Sequence, residues 1–192
     1  MVCLAAGGGG SEATVVFQSL FRQRGPKIVG QRLYDSVVER ARQPLFYTEF
    51  AVSDTVEGRF ELYSLHVILL LHRLKGEGAQ AAETAQALFD IFISQLDHAL
   101  REIGVGDLSV AKKMRKLGEA FYGRAKAYDA ALADPSDAEL AALIGRTAFE
   151  GEGDAARVAA LTAYVRKVVA ALAAEPLETV LDGRADWPDL AP

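Results

Sequence analysis

His66, His72 and His98 are the residues best suited by type to bind a metal or move a proton. His66 and His72 stand six apart, about 240° around a regular helix, so they cannot grip one ion together. The chain has no His-Glu-x-x-His pair and no Glu-x-x-His pair. His66 lies in an apolar stretch, where a hydrogen-bonded core histidine is expected, and His98 follows Asp97 on a polar helix side. A single histidine can ligate haem, but nothing beyond these three suggests it. The lone cysteine, Cys3, rules out an internal disulfide framework and a cysteine-based zinc site. Gly-x-Ser-x-Gly, phosphate-loop and dinucleotide glycine patterns are missing. Gly104–Asp107, the sequence GVGD, lacks the lysine and Ser/Thr of a phosphate loop and reads as a turn. The expectation is therefore no catalytic residue, no metal, no cofactor and no small-molecule substrate.

Non-covalent chemistry is better represented. Phe46, Tyr47 and Phe50 crowd a short connection, and Phe121 and Tyr122 sit side by side on a later helix. Between them they offer apolar surface for a partner, or plain core packing. Lys112, Lys113, Arg115 and Lys116 form a basic cluster opposite an apolar strip. Residues 101–126 carry seven Lys or Arg against three acids, whereas residues 127–192 carry five against twelve. That cluster suits a solvated face or a contact with acidic protein, lipid head groups or RNA. The net charge of -5 argues against a dedicated DNA binder.

The elements that must position these groups read as helices throughout. Apolar residues make up 51% and charged residues 24% of 192 residues, which suits one globular domain without disulfides or metal. No useful strand alternation occurs. Helical periodicity is expected over 28–43, from about 54 to 75, and over 79–103, 108–132, 136 to about 151, and 154–174. Asp54 with Glu57, and Ser136 with Glu139, are candidate capping pairs. Pro44, Gly104, Pro135 and Pro176 are candidate stops. The stretch LYSLHVILLLHRL is apolar almost all round, the mark of a central helix. Its longest purely apolar run is Val67 to Leu71, too short for the ~20 residues of a membrane span. The expected fold is all-α: a single compact bundle of about six to seven helices over 14–182. A flexible glycine-rich segment, 1–13, precedes it, and an irregular tail, 183–192, holds Trp187, which is expected to fold back as a plug. Val16, Phe17, Leu20 and Phe21 beside Arg22, Arg24 and Lys27 suit either an ordinary packing helix or an anionic membrane surface. The first residues have no basic n-region, so no secretory signal is read.

Three stretches are together distinctive: LYDSVVE; ARQPLFYTEFAVSDTVEGRFELYSLHVILLLHRLKG; and LFDIFISQLDHALREIGVGDLSVAKKMRKLGEAFYGRAKAYDAAL. They resemble the ubiquinol–cytochrome c chaperone family, the assembly factors of the cytochrome bc1 complex, over roughly 31–132. The most specific pieces are DTVEGRFELYSLH, REIGVGDLSVAKKMRK and AFYGRAKAY. The resemblance implies an all-α, non-enzymatic chaperone. It also implies cytochrome b or bc1 assembly intermediates as partners, with ribosome or inner-membrane contacts in mitochondrial members. The chain looks more like bacterial members, which places it in the cytoplasm, peripheral to the inner face of the inner membrane. The alternative is a membrane- or ribosome-associated adaptor acting through the basic face. A holdase needs an apolar surface with a polar rim rather than a reactive group. Phe46, Tyr47, Phe50, Arg59, Phe60, Phe121 and Tyr122 are its candidate contacts. Asp54, Arg101, Asp107 and Arg124 stand in the same motifs as structural residues, and Arg59 and Asp107 could equally be ion-pair or cap residues.

Overall fold

The computed structural model describes residues 11–190, with side chains from residue 25 onward. Within that range the chain forms eight helices and no strand. They are α1 (Ser11–Ala41), α2 (Leu45–Thr48), α3 (Val56–Leu74), α4 (Ala79–Glu102), α5 (Asp107–Ala133), α6 (Ala138–Thr147), α7 (Ala155–Ala174) and α8 (Leu177–Leu181). Six of these exceed two turns, and the all-α expectation holds. Cys3 and the side chains of Val16, Phe17, Leu20, Phe21, Arg22 and Arg24 lie outside the described residues.

α3 is the centre of the bundle and packs on α1, α4, α5 and α7. Seven consecutive residues, Ser64–Leu70, are buried, so neighbours surround every face of that stretch. A helix wrapped on all sides cannot show the one-sided pattern of a surface helix, which is why its sequence is apolar almost throughout. α1 and α4 approach closely at Gly30, where an added Cβ would lie 2.9 Å from the Leu88 backbone nitrogen. α6 and α7 pair with each other and close the bundle against α5 and α3.

Local signals account for most boundaries. Gly104 adopts the left-handed conformation (φ 84°) expected at the end of α4. Asp154 caps α7, its carboxylate accepting the Arg157 N–H at 2.9 Å. Two caps differ from expectation. Thr55, not Asp54, caps α3 by accepting the Gly58 N–H at 3.1 Å. Asp54 is drawn away by Arg59, 2.7 Å distant. α6 begins at Ala138 after Asp137, and Ser136 reaches only the Ala138 N–H in a local turn. α6 also ends at Thr147, earlier than the expected Gly151. In α5 Val110, Phe121, Tyr128 and Ala131 are buried, with Leu117, Ala125 and Leu132 packed against the core, while Ala111 is exposed.

Candidate functional site

The aromatic connection turns inward rather than outward. Phe46, on the single turn of α2, and Phe50 are fully buried against α3 and α7. Phe46 lies 5.4 Å from the His66 ring and 5.3 Å from the Tyr164 ring, both nearly edge-on. Phe60 and Phe121 are interior as well, packed on Phe92 at 6.4 and 5.2 Å. These four side chains therefore do not form an open groove wall. They fill junctions between helices where large rings bury the most apolar area. Tyr47 is half-buried and donates its hydroxyl hydrogen to the Ala41 carbonyl. Arg59 sits 5.8 Å over the Tyr47 ring. Of the aromatic candidates, Tyr122 is the one facing solvent, 63% exposed and 5.4 Å from Phe89.

His66 is the buried polar group of this cluster. Its Nδ1 lies 2.7 Å from the Leu62 carbonyl, which can only accept, so Nδ1 carries the proton. Its Nε2 lies 2.8 Å from the Tyr164 hydroxyl. That hydroxyl accepts from Arg40 Nε at 3.0 Å and so donates to His66. The neutral ring is thereby fully satisfied, and burial lowers its pKa to about 4, helped by the charge of Arg40. It is a structural histidine, as expected. His72 instead meets Asp129 at 2.9 Å and borders a shallow depression of about 250 Å³ with Leu69, Arg73 and Leu172. His98 faces solvent. Among the described residues no group of three or more His, Cys, Asp or Glu side chains is placed to hold a metal ion.

Three of the five large hydrophobic residues exposed among the described residues, Ile103, Leu108 and Tyr122, lie on α5 and the turn before it. Val110, Phe121 and Tyr128 mark the buried side of α5. At 100° per residue, Leu108, Lys112, Arg115, Tyr122 and Lys126 fall together on the opposite side. Leu108 is 96% exposed, Ile103 across the turn is 58% exposed, and Lys112, Lys113, Arg115 and Lys116 are all exposed. Arg115 approaches Glu119 only at 3.9 Å, and Lys112, Lys113 and Lys116 make no salt bridge among the described residues. Their charge is free for an external anion. Ile103 continues the apolar spacing of α4 but stands just past its last residue, Glu102, and is exposed.

The motif residues hold this surface in place. Arg101 bridges Asp97, at 2.6 Å, and Asp107 across the turn between α4 and α5. Arg124 clamps Glu61 of α3 with both ends of its guanidinium, one bond measuring 2.5 Å, and lies 5.5 Å over the Phe60 ring. Arg101, Asp107, Arg124 and Glu61 thus fix the register of α5 on α3 and α4. Glu61 and Arg166, the latter holding two carbonyls in the last turn of α5 and two in the α5–α6 connection, had no spacing signal, because their partners are remote in the chain.

A family model described as "Ubiquinol-cytochrome C chaperone" matches residues 48–187. The chain belongs to this family. The match runs on through α6 and α7, beyond the stretch where the sequence motifs are most distinctive. Among relatives, ubiquinol-cytochrome-c reductase complex assembly factor 1 of Xenopus laevis is 27% identical over 163 residues, covering 84% of this chain and 81% of that protein. The Homo sapiens protein of the same name is 28% identical over 163 residues, and the match spans 54% of its length. The chain thus spans about half the length of that mammalian relative. The crystal structure of the Cbp3 homolog from Brucella abortus superposes with a TM-score of 0.81 and 38% identity, covering 91% of this chain and 97% of that one. No described helix is long and apolar enough to cross a membrane.

Proposed function

We propose that this chain is a non-catalytic chaperone for assembly of the ubiquinol–cytochrome c reductase (cytochrome bc1) complex, and that newly made cytochrome b is its client. Membership of the chaperone family supports the reading. So does the name of its relatives, which are assembly factors of that complex. The observation that carries it at the level of residues is the outward face of α5. There Leu108, Ile103 and Tyr122 offer apolar contact beside Lys112, Lys113, Arg115 and Lys116, on a helix locked by Arg124 and Arg101. A client with apolar helices is held by such a mixed surface, and no bond need be made or broken. The protein works in the cytoplasm at the inner face of the membrane into which its client is inserted. The lysines also favour a second reading for the same face, contact with a ribosome or an anionic membrane surface.

Photo-crosslinkers placed at Leu108 and Tyr122 in living cells test the client. Capture of cytochrome b, together with lowered bc1 complex in a deletion strain, is the expected result. Normal bc1 levels without the gene would overturn the assignment. Reversal of Lys112, Arg115 and Lys116 to Glu separates the readings. It abolishes ribosome or vesicle co-sedimentation at low salt if that contact is the function, and leaves cytochrome b crosslinking through Leu108 if it is not.

A further inference from the structure

The hairpin end of α4 and α5 is thinly packed. Over 93–102 of α4 and 107–120 of α5, the buried residues are Leu100 and Val110 alone. α3 begins at Val56 and already meets α4 at Phe92 through Phe60, and α5 at Arg124 through Glu61. α4 doubles back from α3 through the short turn 75–78, so its last turns run on past the start of α3. The turn that follows α4 carries an exposed apolar side chain on each side, Ile103 and Leu108. Leu108 is 96% exposed and makes almost no contact with its own chain; the next most exposed large hydrophobic among the described residues is Tyr122, at 63%. Lys112 follows Leu108 by one helical turn and Lys116 by two, about 6 and 12 Å along the axis. Lys113 and Arg115 stand between them. Three acids of the hairpin are already engaged: Asp97 and Asp107 hold Arg101, and Glu119 lies 3.9 Å from Arg115. A fourth, Glu102, lies about five turns beyond Thr84, on the face of α4 where Ala87 and Leu88 meet Gly30 of α1. The lysines keep an uncompensated positive charge directly behind an uncovered apolar tip.

We propose that this hairpin end docks on an anionic lipid bilayer, Ile103 and Leu108 entering the boundary between head groups and acyl chains while Lys112, Lys113, Arg115 and Lys116 meet lipid phosphates. The proposal commits the second reading of the α5 face to one partner, and it does not rest on cytochrome b being the client. The apolar tip decides between partners. The phosphates of a ribosome surface would use the lysines and leave Ile103 and Leu108 in water, whereas a bilayer takes both. The spacing agrees with the depth of such contacts. Interfacial elements sink about 5–10 Å, which sets Leu108 among acyl chains when Lys112 is level with the head groups. Tip and lysines act together, because two apolar side chains bind a bilayer only marginally and each nearby lysine adds a comparable increment. Tyr122 lies about 21 Å along α5 from Leu108. One end of the helix therefore enters lipid while the other presents Tyr122 outside it.

The test is co-sedimentation of the full chain with two kinds of vesicle, phosphatidylcholine alone and phosphatidylcholine with phosphatidylglycerol at about one part in three. The chain binds the second and not the first. Ile103→Ser with Leu108→Ser weakens binding by about ten-fold or more, and so does Lys112→Glu with Lys116→Glu. Equal binding to both vesicles, or binding indifferent to the serine pair, overturns the proposal. A second measurement reads insertion directly in a chain that folds. Cys3, the single native cysteine, is changed to Ser, and an environment-sensitive fluorophore is attached at Leu108→Cys or at Tyr122→Cys. On the anionic vesicles the Leu108 label shifts to the blue and is quenched by spin-labelled lipid, and the Tyr122 label is not. No shift at Leu108, or equal shifts at both positions, overturns the proposal. Ribosome binding that survives the serine pair, in a chain that ignores both vesicles, assigns the lysines to RNA and overturns it too. Loss of vesicle binding leaves the client assignment standing, and normal bc1 levels in a deletion strain leave the lipid contact standing, so the two fail separately.

Discussion

Acidification should loosen this fold through His66 before most carboxylates titrate. The ring is completely buried, its Nδ1–H given to Leu62 and its Nε2 accepting from Tyr164. Adding a proton to Nε2 would turn two donors toward each other beside the Arg40 guanidinium. The folded-state pKa accordingly falls from 6.5 to about 4. In the unfolded chain the ring titrates near its ordinary value, so below about pH 6.5 the unfolded state binds a proton that the native state refuses. Stability contributed by the neutral ring is present above pH 6.5 and is lost as pH falls toward 4. At about 1.4 kcal/mol per unit of difference, the whole effect is about 3 kcal/mol, of which about 1 kcal/mol is lost between pH 7.5 and 5.5. Glu61 acts in the opposite direction, since burial pushes its carboxyl up against the pull of Arg124. A comparison with His66→Gln removes that contribution because both chains share it. In urea titrations followed by circular dichroism, His66→Gln is less stable at pH 7.5, and the gap to the parent narrows by about 1 kcal/mol at pH 5.5. A gap of equal size at both pH values would refute the argument that the buried ring is neutral.

Two substitutions probe the packing of the bundle. Phe46→Ala removes a fully buried ring wedged between Phe50, His66 and Tyr164; it costs about 3–5 kcal/mol, read as a lower urea midpoint. Gly58→Ala places a Cβ about 2.0 Å from the Ser53 carbonyl oxygen; the backbone must shift, and a loss of about 1–3 kcal/mol in chemical denaturation is expected.

The sequence made α3 visible because a run of apolar residues with no polar side has few uses other than a central position. It made Asp154 and Gly104 visible because caps are local chemistry between near neighbours. The aromatic connection was legible as a cluster but not in its direction. Phe46 and Phe50 are drawn inward by Tyr164, more than a hundred residues away, and no local spacing encodes that partner. Asp54 and Thr55 illustrate competition between equals. Either can cap a helix, and the choice is settled by Arg59, which takes the carboxylate. Ile103 fits the inward period of α4 and is nonetheless exposed, because periodicity tells which side of a helix is apolar and not where the helix stops.

These separations matter for how the molecule would be used. The groups that fix the fold, His66, Phe46, Glu61 and Arg124, lie behind or beneath the groups that face outward, Leu108, Lys112, Arg115 and Tyr122. Exposed positions away from caps and pairs usually change stability by less than about 0.5 kcal/mol when substituted. Changes on the α5 face therefore test the proposed partner contact while leaving the bundle intact. Changes to the Glu61–Arg124 clamp do the reverse: they leave every outward side chain in place and let the helix that presents them move. In the proposed chaperone role the surface acts through its shape and charge. For such a protein, the ion pair that sets the register of the presenting helix matters to function as much as the residues that touch the client.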